Sequence, residues 1–143
     1  MKLRILIADD NELVRKGLRT LLEGQPGWQI VSEAVNGREV VEKAGWHRPD
    51  VVVLDYNMPE MDGLSAVPKI HDVAPDAEIL VLTQHDAPYT VQRGLDAGIR
   101  GYVLKSDAGH DLLAGIVAVG QHKTFLSASI SRDCSAPRQP PDA

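Results

Sequence analysis

Five polar residues stand out because each ends a short apolar run. Asp9 and Asp10 follow residues 3–8, Asp55 follows 51–54, Thr83 follows 78–82 and Lys105 follows 99–104. Gathered at one place, three carboxylates repel one another and call for a hard divalent cation; an oxygen-rich site that keeps several waters suits Mg²⁺. A carboxylate in such a site can attack a phosphoryl group and form an aspartyl phosphate, while the cation and a lysine offset the charge on the transferring oxygens. Thr83 would supply a hydroxyl to hydrogen-bond one of those oxygens.

Each residue alone has a plainer use. Asp9 and Asp10 could be helix caps, Asp55 the start of a turn, Thr83 a β-branched strand residue, Lys105 a solvated charge and Tyr102 a core residue. The joint reading outweighs these, because the residue types required by one chemistry recur at four separate strand ends.

The elements that must bring them together are legible from periodicity. Val51, Val52, Val53 and Leu54 make an unbroken apolar run, the pattern of a strand buried on both faces of a parallel sheet. Four other runs, at 3–8, 28–34, 78–82 and 99–104, complete five strands. Helices are predicted between and after them. The first carries Val14, Leu18 and Leu21, widened by Leu13 and Leu22, and closes at Gly24 and Pro26. Asn36-Gly37 turns into the second, with Val40, Val41 and Ala44. The third, 64–73, contains Pro68, which predicts a late start or a kink. The fourth, 88–97, has a thin apolar face of Val91 and Leu95 and is expected to be loosely held. The last, capped by Ser106 or Asp107, carries Leu112, Leu113, Ile116 and Val117. Alternating strands and helices give an α/β domain: a doubly wound, parallel five-stranded sheet of expected order 2-1-3-4-5 with helices on both faces. In such sheets ligands sit outside the carboxyl ends of the strands, where all five polar residues fall.

Composition narrows the function. The chain of 143 residues is the size of one domain, 43% hydrophobic and 24% charged, with no apolar stretch long enough to span a membrane. Its amino terminus lacks the core and cleavage site of a signal peptide, and its one cysteine, Cys134, cannot form an internal disulfide. A cytoplasmic location is expected. A net charge of −5 argues against direct DNA contact by this chain. The five histidines show no pair at ligand spacing, which disfavours zinc, and only His85 falls near the expected pocket. Trp28 and Trp46 are expected to be packing residues. Residues 1–126 are read as the folded domain. Residues 127–143, rich in Ser, Pro, Arg and Asp, are read as a flexible tail or truncated linker.

Beyond this reading, the chain resembles the receiver domains of bacterial two-component response regulators, in the NarL/FixJ-like branch. The resemblance runs from about Lys2 to Phe125. It is carried by Ile7-Ala8-Asp9-Asp10, by Pro49-Asp50 with the strand ending in Asp55, by Met58-Pro59-Glu60-Met61-Asp62-Gly63, by Leu82-Thr83, and by residues 98–105 from Gly98 to Lys105. It implies a (βα)5 flavodoxin-like fold, with Asp55 as phosphoacceptor taking a phosphoryl group from a sensor histidine kinase that docks near the first helix. Mg²⁺ would be held by Asp10, Asp55 and the backbone carbonyl of Asn57, with Asp9 acting through the metal's waters. Lys105 would pair with the phosphoryl group, Thr83 would move toward it, and Tyr102 would turn inward behind it, changing the face of the fourth helix, fifth strand and fifth helix. The resemblance allows a homodimer through that face. It describes a signalling receiver derived from a transcriptional regulator, one that catalyses only its own aspartyl phosphorylation and dephosphorylation.

Rival functions meet specific obstacles. A phosphatase of the haloacid-dehalogenase type uses a second aspartate two residues after the nucleophile, and Asn57 stands there. In a flavin-binding module of the same fold, Asp9-Asp10 would repel the phosphate. A receiver that takes no phosphate and serves as a docking or dimerisation module is the remaining alternative. Departures from the family pattern are the absence of a helix-turn-helix after residues 124–129, the bulky Gln84 beside Thr83, and Ser106 in place of a proline, so that no cis bond is expected after Lys105.

Overall fold

The structure, a computed structural model, describes residues 2–55, 63–84, 88–127 and 130, with only the backbone described at 63–64 and 88–90. Strands β1 (Leu3–Ala8), β2 (Trp28–Ala34), β3 (Val51–Asp55), β4 (Glu78–Thr83), β5 (Ile99–Leu104) and β6 (Phe125–Leu126) form one sheet of order β2-β1-β3-β4-β5-β6. All its pairings are parallel. Helices α1 (Glu12–Glu23), α2 (Gly37–His47), α3 (Gly63–Val73), α4 (Pro88–Ala97) and α5 (Ala108–Gly120) connect and flank the strands, and a 3₁₀ turn over Lys105–Asp107 leads into α5. This is the doubly wound flavodoxin-like fold expected from sequence, with one strand more. The two-residue β6 is too short to announce itself by periodicity.

Alternation along the strands sorts the core into two layers. Val51 and Val53 join Ile5, Ile7, Leu80, Leu82 and Val103 under α1 and α5. Val52 and Leu54 join Leu6, Ala8, Ile79, Val81 and Tyr102 under α2, α3 and α4. Side chains of successive strand residues point to opposite faces, so a strand buried on both must be apolar throughout, as β3 is. The β4–β5 register shifts between Ile79, opposite Ile99, and Leu80, opposite Gly101, which leaves Arg100 as the extra residue. That bulge explains why Ile99 and Tyr102, three positions apart, lie in the same layer.

Helix ends are set by local polar groups. Asn11 caps α1, its side chain accepting from the N–H groups of Leu13 and Val14. Asn36 caps α2 by accepting from Glu39 N–H at 2.8 Å, and the Glu39 carboxylate reaches back to Val35 N–H. Helix α3 begins ahead of Pro68 and runs through it, anchored by buried Ala66, Val67 and Ile70. No side-chain cap bond is made by Asp107 at the start of α5.

Three sequence expectations need correction. The buried stripe of α1 is Leu18 and Leu22, whereas Leu13 is 77% exposed and Val14 is exposed beside it, because the helix enters from the sheet edge with its first turn beyond the core. Trp46 is 71% exposed on the last turn of α2, although Trp28 does pack against the α1–α5 layer. Ser127, where the tail was expected to begin, is fully buried: its N–H donates to Tyr102 O at 2.9 Å and its hydroxyl accepts from Leu104 N–H at 3.0 Å. Ile130 is also buried, in the layer that holds Tyr102. Among the described residues, no helix is long and apolar enough to cross a membrane, and no peptide bond is cis.

Candidate functional site: an acidic cluster at the carboxyl edge of the sheet

Parallel pairing fixes the depth of each strand end. Ala8 lies opposite Leu54, Asp55 opposite Leu82, and Thr83 opposite Leu104. The residues that follow these positions therefore emerge at one edge. There Asp9, Asp10 and Asp55 each present a carboxylate oxygen within 4.8 Å of the other two. Lys105 Nζ stands 3.3 Å from Asp55 Oδ1. That separation makes an ion pair rather than a tight hydrogen bond.

Burial distinguishes the three carboxylates. Asp9 is 2% exposed and Asp55 4%, whereas Asp10 is exposed. The backbone holds Asp9 firmly: its N–H donates to Ala34 O at 3.0 Å, and its own carbonyl accepts from the Arg15 guanidinium at 2.8 Å. Its Oδ1 accepts from Asn11 N–H at 2.9 Å, but its buried Oδ2 has no hydrogen-bond partner among the described residues. Burial, with the nearby charges of Asp55 and Asp10, pushes the Asp9 carboxyl above the ordinary range, against the pull of Asn11 N–H and Lys105. A buried acceptor with no donor, in a cluster of oxygen ligands, is the chemistry a hard divalent cation would satisfy. Asn11 caps α1 by itself, which frees both preceding aspartates from the capping role.

Thr83 ends β4 and is buried. By the two-residue alternation it shares the face of Ile79, Val81 and, across the ladder, Tyr102, which lies opposite Val81. Thr83 and Tyr102 are thus diagonal neighbours on one face of the β4–β5 pair. Tyr102 is fully buried. Asn57 and His85 lie outside the described residues. Gln84, next to Thr83, is exposed.

Among the described residues, no other group of three metal-ligating side chains comes together. A cleft of about 480 Å³ opens near the start of β4 and β5, lined by His71, Glu78, Gly98 and Arg100 among others, with none of the clustered aspartates. What sequence reasoning missed lies near the acidic edge: Leu13 and Val14 project from the first turn of α1, directly after Asn11. Their helical spacing with Leu18 resembled a core stripe, and nothing in composition separates the two uses.

The family profile of the response regulator receiver domain matches residues 5–117. The chain belongs to that family. It is 35% identical over 130 residues to the oxygen regulatory protein NreC of Staphylococcus epidermidis, covering 90% of this chain and 60% of the relative. It is 36% identical over 129 residues to a nitrate/nitrite response regulator protein homolog of Haemophilus influenzae, covering 90% and 62%. The chain thus spans about 60% of the length of these curated relatives. Among solved structures it resembles a LuxR-family two-component response regulator from Aurantimonas sp. SI85-9A1, with a TM-score of 0.91 and 31% identity over 96% of this chain and 99% of that one. It also resembles the isolated receiver domain of RcsB from Salmonella enterica in the presence of phosphomimetic BeF₃⁻, with a TM-score of 0.84 and 30% identity over 92% and 98%. Membership in this receiver family makes the chain a signalling domain of two-component systems.

Proposed function

We propose that this receiver accepts a phosphoryl group on Asp55 from a sensor histidine kinase. The observation that carries the reading is the meeting of Asp9, Asp10, Asp55 and Lys105 at one edge of the sheet. A carboxylate oxygen of Asp55 attacks phosphorus, the P–N bond of a phosphohistidine breaks, and the electron pair stays on the imidazole. Hydrolysis later returns the carboxylate and inorganic phosphate. Lys105, already paired with Asp55, is placed to follow the negative charge onto the phosphoryl oxygens.

The donor set fits Mg²⁺, which Asp10 and Asp55 would hold together with the Asn57 carbonyl, Asp9 acting through water. When bound, that ion supplies charge neutralisation for the transferring group. The protein's own part is to hold two aspartates buried and rigid, so that little reorganisation accompanies transfer. Thr83 supplies a hydroxyl from β4, and its position diagonal to Tyr102 supports the role of that pair as the switch acting on the face of α4, β5 and α5. The exposed Leu13 and Val14 support kinase docking at the first turn of α1, beside the acceptor. A homodimer would use the α4–β5–α5 face, whose β5 edge is bordered here by β6. The negative net charge disfavours DNA contact by this domain, and a cytoplasmic location accords with kinase-fed signalling.

The test is treatment with acetyl phosphate, or with beryllofluoride, in the presence of Mg²⁺, following Asp55 by mass spectrometry or NMR with Asp55→Asn as control. Labelling at Asp55 that vanishes in the variant is expected. Labelling that persists in Asp55→Asn, or none in the parent protein, would overturn the assignment and leave the docking or dimerisation module as the better reading.

A further inference from the structure

Helix α4 carries a notch that decides where Tyr102 stands. Tyr102 is fully buried, in the layer that also holds Val91 of α4 and Ile99. A Cβ built on Gly94 would fall 1.7 Å from the Tyr102 hydroxyl oxygen, 2.8 Å from its Cζ and 3.1 Å from Ile99 Cδ1. The first two distances are shorter than real Cβ contacts allow. The hydroxyl sits at the end of a rigid ring with two side-chain torsions, so it cannot retract along its own axis; relief requires swinging the whole ring. Backbone conformation does not demand the glycine, because Gly94 lies inside a helix and outside the left-handed region. Helix propensity opposes it, since alanine is the better residue in a helix interior. What remains for the glycine to provide is room.

We propose that Gly94 is a positioning residue of the switch: the missing side chain on α4 is what admits Tyr102 to its buried pose. Any side chain at 94 forces Tyr102 outward or α4 away from β5. The functional meaning rests on the phosphoacceptor reading, because Tyr102 lies diagonal to Thr83 on the same face. The packing claim stands without it. A larger residue at 94 would leave Asp55 able to accept a phosphoryl group, since position 94 lies outside the acidic cluster, while disconnecting that event from the α4–β5 packing.

The test uses the whole chain labelled with 3-fluorotyrosine. It has three tyrosines, Tyr56, Tyr89 and Tyr102, and the Tyr102 ¹⁹F resonance is assigned by its loss in Tyr102→Phe. In Gly94→Ala this resonance is expected to acquire the H₂O/D₂O isotope shift of an exposed ring, with or without beryllofluoride and Mg²⁺. Thermal melting gives an independent readout. Gly94→Ala should lower the Tm of the parent protein but raise it in a Tyr102→Leu background, where the hydroxyl and Cζ are gone and helix propensity is set only against the 3.1 Å approach of the flexible Ile99 Cδ1. A buried Tyr102 resonance in Gly94→Ala, or a Tm change of the same sign in both backgrounds, would overturn the proposal. If Gly94→Ala does not fold, folding of Gly94→Ala with Tyr102→Leu supports it and failure of both overturns it. Absence of Asp55 labelling in every variant would refute the phosphoacceptor reading alone, because the resonance and the melting reversal are measured without phosphoryl transfer.

Discussion

Replacing Asp9 with asparagine should make the metal-free protein more stable. Asp9 is 2% exposed, its Oδ2 lacks a hydrogen-bond donor among the described residues, and its carboxylate lies within 4.8 Å of two others. At that separation two unit charges in a medium of effective dielectric constant near 20 repel by about 3.5 kcal/mol. Lys105 beside Asp55 and the exposure of Asp10 reduce this. A buried acceptor left unpaired independently costs about 1–3 kcal/mol. The two figures describe the same desolvated oxygen from two sides and do not add, so Asp9→Asn is expected to gain about 1–3 kcal/mol. The asparagine oxygen can still accept from Asn11 N–H, and its amide can donate toward the neighbouring carboxylates. For a domain of this size the Tm in EDTA at pH 7 should rise by roughly 3–12 °C. The pH dependence has a definite sign. The folded-state pKa of Asp9 is raised above 3.8, so folding penalises its ionised form. Below pH 3.8 the residue is protonated whether folded or not, and variant and parent should converge. The gap opens as pH rises through the raised folded value and is complete above it. Saturating Mg²⁺ should narrow the gap: a ligand at 100 times its Kd adds about 2.7 kcal/mol to the parent, and the variant should gain much less. An Asp9→Asn protein that melts at or below the parent in EDTA at pH 7, or that gains equally from Mg²⁺, would refute this account of the cluster.

Lys105→Ala should reduce the rate of Asp55 labelling by acetyl phosphate by at least about tenfold, the scale of losing one charge stabiliser, and should destabilise the metal-free protein by about 1–3 kcal/mol, because the buried Asp55 carboxylate loses its neutralising partner beside two others; labelling kinetics and urea melts read the two effects separately. Glu33→Gln should cost about 1 kcal/mol at pH 7. Burial works to raise the Glu33 pKa, but hydrogen bonds from Arg19 at 2.7 Å and Arg15 at 2.9 Å outweigh it and hold the carboxyl below its usual 4.5. Its contribution is therefore present above pH 4.5 and lost as pH falls through the lowered value, so denaturant midpoints of variant and parent should approach each other in that acid range. Gln84→Ala, at an exposed position next to Thr83, should change the lifetime of the Asp55 phosphoryl group; equal dephosphorylation rates would rule out a gating role for Gln84.

The acidic edge was legible because a strand buried on both faces must stop being apolar where it leaves the core, so polar residues that end separate strands mark one edge. Residues 51–55 show this plainly, whereas the strand order 2-1-3-4-5 was the common order assumed for a doubly wound sheet, which the structure then shows. Where the reading erred, one periodic signal served two ends. Leu13 and Val14 share helical spacing with Leu18, yet the first turn of α1 extends past the layer that buries Leu18 and Leu22. Trp46 invited a packing role by size alone, although it stands exposed at the end of α2. The burial of Ser127 could not be foreseen, since a serine reveals neither the backbone donor it will meet nor the strand beside it. Nor does sequence show the bulge at Arg100, without which Tyr102 would face the opposite layer from Ile99.

That bulge bears on how a charge event at Asp55 could reach the outer strands. Strand β5 hands the chain to Lys105 at the acidic cluster, holds Tyr102 against Gly94 of α4, and binds Ser127 through Tyr102 O and Leu104 N–H. These contacts span four consecutive residues of one backbone. Lys105 and Tyr102 depart from β5 to different surroundings, one to the pocket edge and the other into the α2–α3–α4 layer, so a shift in either must act on the segment between them. Thr83 lies opposite Leu104, the residue in that segment whose N–H is tied to Ser127. The Lys105–Asp55 pair is therefore joined through the backbone of Leu104 and Val103 to Tyr102, and from there by hydrogen bonds to Ser127 on one side and by side-chain packing to α4 on the other.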